Sequence, residues 1–464
     1  MSNPPLYVAI TPHREFLPAD TPEQKLFVML KLRPTKEVAI ELPSTSFAFV
    51  IDTSGSMYEV VKGDTKPTGK VYTQDGKEFE EVTGGKTKID IVIESLLNLV
   101  GSNQLSASDR VAIIQFDDRA STIIGLTPAT QTSQLEAGIE KLRNHSGGTC
   151  MGKGMEQTLN LLSGQSMTSR RALIFTDGAT FDEEECRELA KQFADKGIPI
   201  TALGVGEFNE DLLINLSDNT AGHLHHIVSG HATGTDVAIS DLPQILFKEF
   251  SQAQQEVINN LTLTAKTVKG VKLTRVVRAY PDQAEFSLIQ EPYLIGTAVA
   301  NDETVFILEF TIDSHASSRV RIAQLGLTYD IPGQNRRGEL PPQNVVVQFV
   351  AGQSGAAQVD PEVMGYVQQC NISQLVTEAT RLADSNPEQA GKILETARRM
   401  TVKIGNQAML ESLNEAQNEL RKTRKISSGT RKTIKMGSRG KTIKMSGEIE
   451  GELSEEQIRK LSGT

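Results

Sequence analysis

Cysteine is scarce in this chain. Cys150, Cys186 and Cys370 are its only three, an odd number set far apart. That excludes a disulfide framework and points to reduced thiols in a cytoplasmic compartment. Long apolar runs are missing too: no stretch approaches the roughly 18 uninterrupted apolar residues of a spanning helix, so no membrane span is expected. The opening "MSNPPLYVAI" lacks a basic flank and an apolar core, so no secretory signal is expected there. An excess of positive charge is also absent. The 48 Lys and Arg against 58 Asp and Glu leave a net charge of −10, which argues against a nucleic-acid binder. What is present is an ordinary globular composition, 38% hydrophobic and 23% charged, over 464 residues, enough for more than one domain.

The pattern changes along the chain. Over residues 44–256, short apolar strands such as "FAFVID", "RVAIIQF", "ALIFTDG" and "IPITALGVG" alternate with amphipathic helical stretches. This predicts an α/β domain, a doubly wound, mostly parallel sheet with helices on both faces. Residues 257–352 are alternating or β-branched runs with turn residues between them and predict a β-sandwich. Residues 1–43 read as strands that join the sandwich, so the α/β domain is inserted in it or followed by it. Residues 360–423 read as helices, with Ser385 or Asn386 capping the one that opens on Pro387. Residues 424–464 are poor in apolar side chains and read as a flexible tail, basic first and then acidic. One short helix over "LSEEQIRKL", capped by Ser454, is expected near the end.

Ligand sites in an open parallel sheet lie beyond the carboxyl ends of its strands. Asp52 ends one apolar strand and Asp177 ends another, so both carboxylates should emerge on one edge. Ser54 and Ser56 follow Asp52 at alternate positions, and the Gly-rich "SGGTCMGKG" carries Thr149. Two carboxylates and three hydroxyls make an all-oxygen set suited to a hard cation such as Mg²⁺. Few negative charges leave such an ion electrophilic toward an acidic group from outside. In the alternative reading Asp52 and Asp177 only cap helices.

In their order, "DTSGSM", "DRVAIIQFDD", "GGTCMGKGM", "ALIFTDG" and "ITALGVG" resemble the von Willebrand factor type A domain, over about 200 residues. The resemblance implies a metal-ion-dependent adhesion site at Asp52, Ser54, Ser56, Thr149 and Asp177. It implies direct or near-direct contact by the three hydroxyls and water-mediated contact by the two carboxylates. The expected ion is Mg²⁺, with Mn²⁺ or Ca²⁺ as substitutes, and a partner's acidic residue or water completes its shell. One departure stands out: residues 58–86 intervene before the next helix and contain "YTQDGKEF", a hairpin signal with an Asp-Gly turn. Leaving from the metal edge, this insertion either shapes partner choice or is a tolerated surface loop.

Other signals weigh less. His223, His225, His226 and His231 are grouped but lack the partners of a zinc site, and an edge strand accounts for them better. Cys150 has no identifiable base. "GGKT" at 84–87 and "RGKT" at 439–442 lack the earlier glycine of a phosphate loop. The tail repeats "KTIKM" at 432–436 and 441–445, which makes Thr430, Thr433 and Thr442 phosphorylation candidates among basic residues. A Ser/Thr kinase and a forkhead-associated-domain reader of phosphothreonine are the matching partners. Together these features predict a non-enzymatic, cytoplasmic, metal-dependent protein-binding adaptor or scaffold. A surface adhesin of the same fold and a Mg²⁺-dependent hydrolase are the alternatives.

Overall fold

The computed structural model describes residues 4–74, 77–165, 167–351 and 359–445. They fall into two units: one holds Ser44–Thr220 and Leu224–Gln254, and the other takes the remaining described residues on either side in the chain.

The first unit is built on a seven-stranded sheet. Its strands are β1 (Thr45–Asp52), β2 (Arg110–Phe116), β3 (Ala120–Pro128), β4 (Ser169–Thr176), β5 (Ile200–Val205), β6 (Leu224–Val228) and β7 (Val237–Ala238), in the order β3-β2-β1-β4-β5-β6-β7. Every neighbouring pair is parallel except β2 and β3. All eight residues of β1 are buried, which is why it reads as a continuous apolar run. Phe47 meets Phe250 of the helix Leu242–Gln254, with ring centroids 5.3 Å apart. The helix Met151–Ser163 approaches closely through Gly154, where a Cβ would stand 3.1 Å from both Phe116 and Val50. Phe175 of β4 is in register with Ile51, so Asp177 leaves the sheet beside Asp52. The insertion forms two small pairings, Val60–Lys62 with Lys86–Thr87 and Lys66–Gln74 with Lys77–Thr83. The expected Asp75-Gly76 turn lies outside the described residues.

The second unit holds two five-stranded sheets. One contains Leu6–Pro12, Gln24–Pro34, Thr304–Ile312, Val271–Tyr280 and Ala284–Phe286; the other contains Tyr293–Val299, Glu256–Thr267, Ser318–Ile331, Arg336–Val350 and Phe16–Pro18. Pairing is antiparallel except for Phe16–Pro18, which runs parallel to Arg336–Val350. In the strand Gln24–Pro34, Leu26, Val28 and Leu30 fill the sandwich core. Phe27 and Met29 face the opposite way and pack with helical residues such as Val363 and Val367. Three helices follow, Pro361–Leu382, Pro387–Ile404 and Gln407–Thr423. Side chains cap all three: Asp360 accepts from Val363 N–H at 2.9 Å, Asn386 from Gln389 N–H at 3.1 Å, and Asn406 from Met409 N–H at 3.1 Å.

The flexible tail expected from residue 424 is corrected in its first part. Ser428–Gly440 is a helix, and its residues Lys432 to Ser438 are all buried, two lysines among them, so the burial is not confined to one face. Residues 441–445 then carry no regular secondary structure and are held by neighbouring side chains. Ile443 N–H donates to Gln369 Oε1 at 2.9 Å, and Met445 N–H donates to the Tyr366 hydroxyl at 3.2 Å. Asn406 Nδ2 donates to the Lys441 carbonyl at 2.6 Å. A segment poor in apolar residues can still be buried where the rest of the chain packs around it. The helix expected over 453–461, with its Ser454 cap, lies outside the described residues.

His13 gives this unit an acid sensitivity. It is 3% exposed, and its Nδ1 accepts the Phe27 N–H at 3.1 Å, so the ring is held neutral. Burial, then the charge of Arg14, lowers its pKa to about 3. The unfolded chain takes up this proton near pH 6.5, well before the folded one, so stability is lost as pH falls from about 6.5 toward 3. The loss is expected to be on the order of 4 kcal/mol. Urea midpoints of His13→Asn measured across that window should show a much shallower pH dependence than wild type.

Candidate metal site

After Asp52 the chain leaves β1 and makes one 3₁₀ turn, Gly55–Tyr58. The Asp52 carboxylate is fully buried, with Oδ1 accepting from Ser54 N–H at 2.8 Å and Oδ2 from the Thr176 hydroxyl at 2.8 Å. Ser54 Oγ lies 3.2 Å from Ser56 Oγ, and the Ser56 hydroxyl donates to Asp177 Oδ1 at 2.7 Å. The serine turn is tied to the Gly-rich loop by Gly55 N–H donating to the Gly147 carbonyl at 3.1 Å. Thr149 in that loop is fixed from the other side. Its carbonyl accepts from Phe181 N–H at 2.9 Å and from the Thr180 hydroxyl at 3.1 Å. A Cβ at Gly178 would stand 3.7 Å from Thr149 Oγ1 and 4.0 Å from Ser56 Oγ. The two hydroxyls thus border one spot that the glycine keeps clear.

Asp52, Ser54, Ser56, Thr149 and Asp177 therefore meet at the carboxyl edge of the sheet. Burial, then the negative charge of Asp177, pushes the Asp52 carboxyl up. Burial also raises Asp177, against the pull of Lys88. The donors are neutral hydroxyls and carboxylate oxygens, the chemistry of a hard divalent ion, so the residues present fit one.

Sequence reasoning missed Lys88 and Glu59. Lys88 opens the helix Lys88–Val100 and is 4% exposed. Its Nζ lies 2.8 Å from Asp177 Oδ2, 2.6 Å from Glu59 Oε2 and 3.4 Å from the Ser56 carbonyl. Burial pulls the ammonium down, but Asp177 and Glu59 outweigh it and hold it above its ordinary range. A signal was available: a lysine in the first turn of a helix opposes the helix dipole. The helix itself is anchored by a capping box between Thr87 and Asp90.

The other candidates are dispersed. Thr430 is half-buried in the first turn of the helix Ser428–Gly440, beside its cap Ser427. Thr433 is buried and donates to the Gly429 carbonyl at 3.1 Å. Thr442 donates to the Pro281 carbonyl. Neither Thr433 nor Thr442 sits on a free chain. Among the described residues no three His, Cys, Asp or Glu side chains gather as a metal-binding group. His225 Nε2 meets Glu249 Oε1 at 2.8 Å, and His226 Nδ1 meets Asp236 Oδ1 at 2.8 Å. Their strand β6 is next to the edge, which is formed by β7. Burial, then Asp182, raises the Cys150 thiol, which makes it a poor nucleophile. No helix among the described residues is long and apolar enough to cross a membrane.

Residues 47–179 match the family profile of the von Willebrand factor type A domain, and the chain carries that domain. Residues 361–444 match the Sll0103-like, C-terminal alpha-helical domain, so the helix Ser428–Gly440 falls within it. A curated relative, the uncharacterized protein sll0103 of Synechocystis sp., is 22% identical over 362 residues, covering 76% of this chain and 83% of its own. Among solved structures, a von Willebrand factor type A protein from Catenulispora acidiphila superposes with a TM-score of 0.75 at 15% identity, covering 96% of this chain and 99% of that one. The ArnB paralog VWA2 from Sulfolobus acidocaldarius gives 0.57 at 14% identity, covering 95% and 100%. At these identities the two structures share the fold.

Proposed function

We propose that the α/β unit is a non-enzymatic binding module that captures a protein partner through a divalent cation, Mg²⁺ in the first instance. Bound there, the ion would supply an electrophilic position for a partner's acidic side chain. Ser54, Ser56 and Thr149 offer neutral oxygens to it. Asp52 and Asp177 balance its charge from behind, because hydrogen bonds to Ser54 N–H, Thr176, Ser56 and Lys88 already engage their oxygens. The observation that carries this reading is the meeting of the Thr149 and Ser56 hydroxyls beside Gly178, with Ser56 in turn 3.2 Å from Ser54 Oγ and hydrogen-bonded to Asp177. The same engagement of the carboxylates favours binding over hydrolysis. A chelator-sensitive phosphatase activity lost in Asp52→Ala would overturn that part.

The helices and sandwich carry the module in a cytoplasmic adaptor or scaffold. Regulation by a Ser/Thr kinase and a forkhead-associated reader is confined in this reading to Thr430. There a phosphate would meet the N-terminus of a helix rather than a buried contact.

The test is a Ser54→Ala, Ser56→Ala double variant. Calorimetric titration with Mg²⁺ and with Mn²⁺ should show binding by wild type and at least a hundredfold loss in the variant, with the thermal unfolding midpoint kept. Partner capture in Mg²⁺ should disappear both in the variant and on chelation. Capture indifferent to both would sink the proposal.

A further inference from the structure

We infer that Lys88 is a built-in counter-cation that weakens divalent-ion binding at this site, and that Glu59 sets how strongly it does so. The inference rests on the metal reading above and adds a control of affinity to it.

Nothing about its position favours a lysine as such. It lies in the first turn of its helix, where a cation opposes the dipole, and it is 4% exposed. What holds it is a pair of carboxylates, Asp177 at 2.8 Å and Glu59 at 2.6 Å. Ser56 engages one oxygen of Asp177 and Lys88 the other. The ammonium thus cancels part of the negative charge that would attract a divalent ion.

Glu59 draws the same ammonium the other way. Its side chain is 46% exposed and belongs to the root of the insertion, and its carbonyl accepts the Lys88 N–H at 3.1 Å. Immediately beyond it, Val60–Lys62 pairs with Lys86–Thr87. The insertion therefore begins on a residue that shares the counter-cation with Asp177. A charge neutralised at Glu59 leaves Lys88 wholly to Asp177, and the site then binds a cation less well.

Calorimetric titration of the full chain with Mg²⁺ and Mn²⁺ tests this in four variants. Lys88→Met should bind at least tenfold more tightly than wild type, and Lys88→Arg, which keeps the charge, should stay within threefold of it. Glu59→Gln should bind three- to tenfold more weakly. In the Lys88→Met background the Glu59→Gln effect should shrink to less than half on a logarithmic scale, because Glu59 acts through Lys88. Thermal unfolding reports whether each variant is folded. Glu59→Gln changes a half-exposed group and keeps the test open if Lys88→Met does not fold. Wild-type binding abolished by the double serine variant, together with a Lys88→Met affinity equal to or weaker than wild type, overturns this inference and leaves the metal reading standing. An unchanged or tighter Glu59→Gln overturns it as well. No binding by wild type or by Lys88→Met overturns both.

Discussion

Glu249→Ala is expected to destabilise the α/β unit by roughly 3–5 kcal/mol, the cost of taking one partner from a buried ion pair. Glu249 is 1% exposed in the helix Leu242–Gln254 and reaches three strands at once. Its Oε1 meets His225 of β6 at 2.8 Å, its Oε2 accepts the Thr201 hydroxyl of β5 at 3.0 Å, and Arg171 of β4 lies 3.6 Å away. Arg171 also donates to Thr201 at 2.8 Å and is fully buried. Without the carboxylate, that guanidinium stays in the core with its charge unbalanced by Glu249. Removing both charges should cost less than removing one, so Arg171→Leu with Glu249→Leu should recover at least half the loss. The chain has no tryptophan and folds in two units, so hydrogen exchange on β4 and β5 peptides is the right measurement. Arg171 is six residues before Asp177, about 20 Å along an extended strand. Metal affinity of the folded variant should therefore be unchanged, which separates this scaffold effect from the site.

The candidate site was legible because each of its parts is local. Asp52, Ser54 and Ser56 lie within five residues, and Thr149 and Asp177 each sit where a strand or Gly-rich loop ends. Parallel strands of matched length then bring those ends together without further information. Lys88 was not legible in the same way. Its meaning depends on Asp177, 89 residues away, and on an insertion that separates it from Ser56. The buried Arg171 and Glu249 were hidden for the same reason, since a charge on an apolar face shows its partner only once the strands are ordered.

The C-terminal segment shows a different limit. Its two "KTIKM" copies are identical, yet the first is helical and the second has no regular secondary structure. Local sequence cannot decide between those states; the surfaces that receive them do. A low average of apolar residues suggests a solvated chain. It does not register that all of the residues from Lys432 to Ser438 become buried, or that Tyr366 and Gln369 hold backbone groups of the second copy.

Ile434→Asp should therefore detach residues 428–445 while the sandwich remains folded. Ile434 is 0% exposed and packs in the cluster that includes Leu413, Leu420 and Met445. Shortening it to Ala would cost roughly 2–5 kcal/mol, and an aspartate there adds the desolvation of a carboxylate. A helix of 13 residues has little stability of its own and depends on such buried contacts to stay docked. The variant should show fast amide exchange over 428–445 and new protease cleavage after Arg424 or Lys425. The strand Gln24–Pro34 should keep its protection, because its Leu26, Val28 and Leu30 belong to the sandwich core. Thr442→Glu tests the second copy, whose hydroxyl donates to the Pro281 carbonyl. It should loosen residues 441–445 and leave the helix docked through Ile434. Thr430→Glu, at the helix N-terminus, should change neither. Wild-type exchange in Ile434→Asp would mean that the bonds from Gln283 N–H to the Arg439 carbonyl and from Ile443 N–H to the Gln369 side chain hold the segment without Ile434.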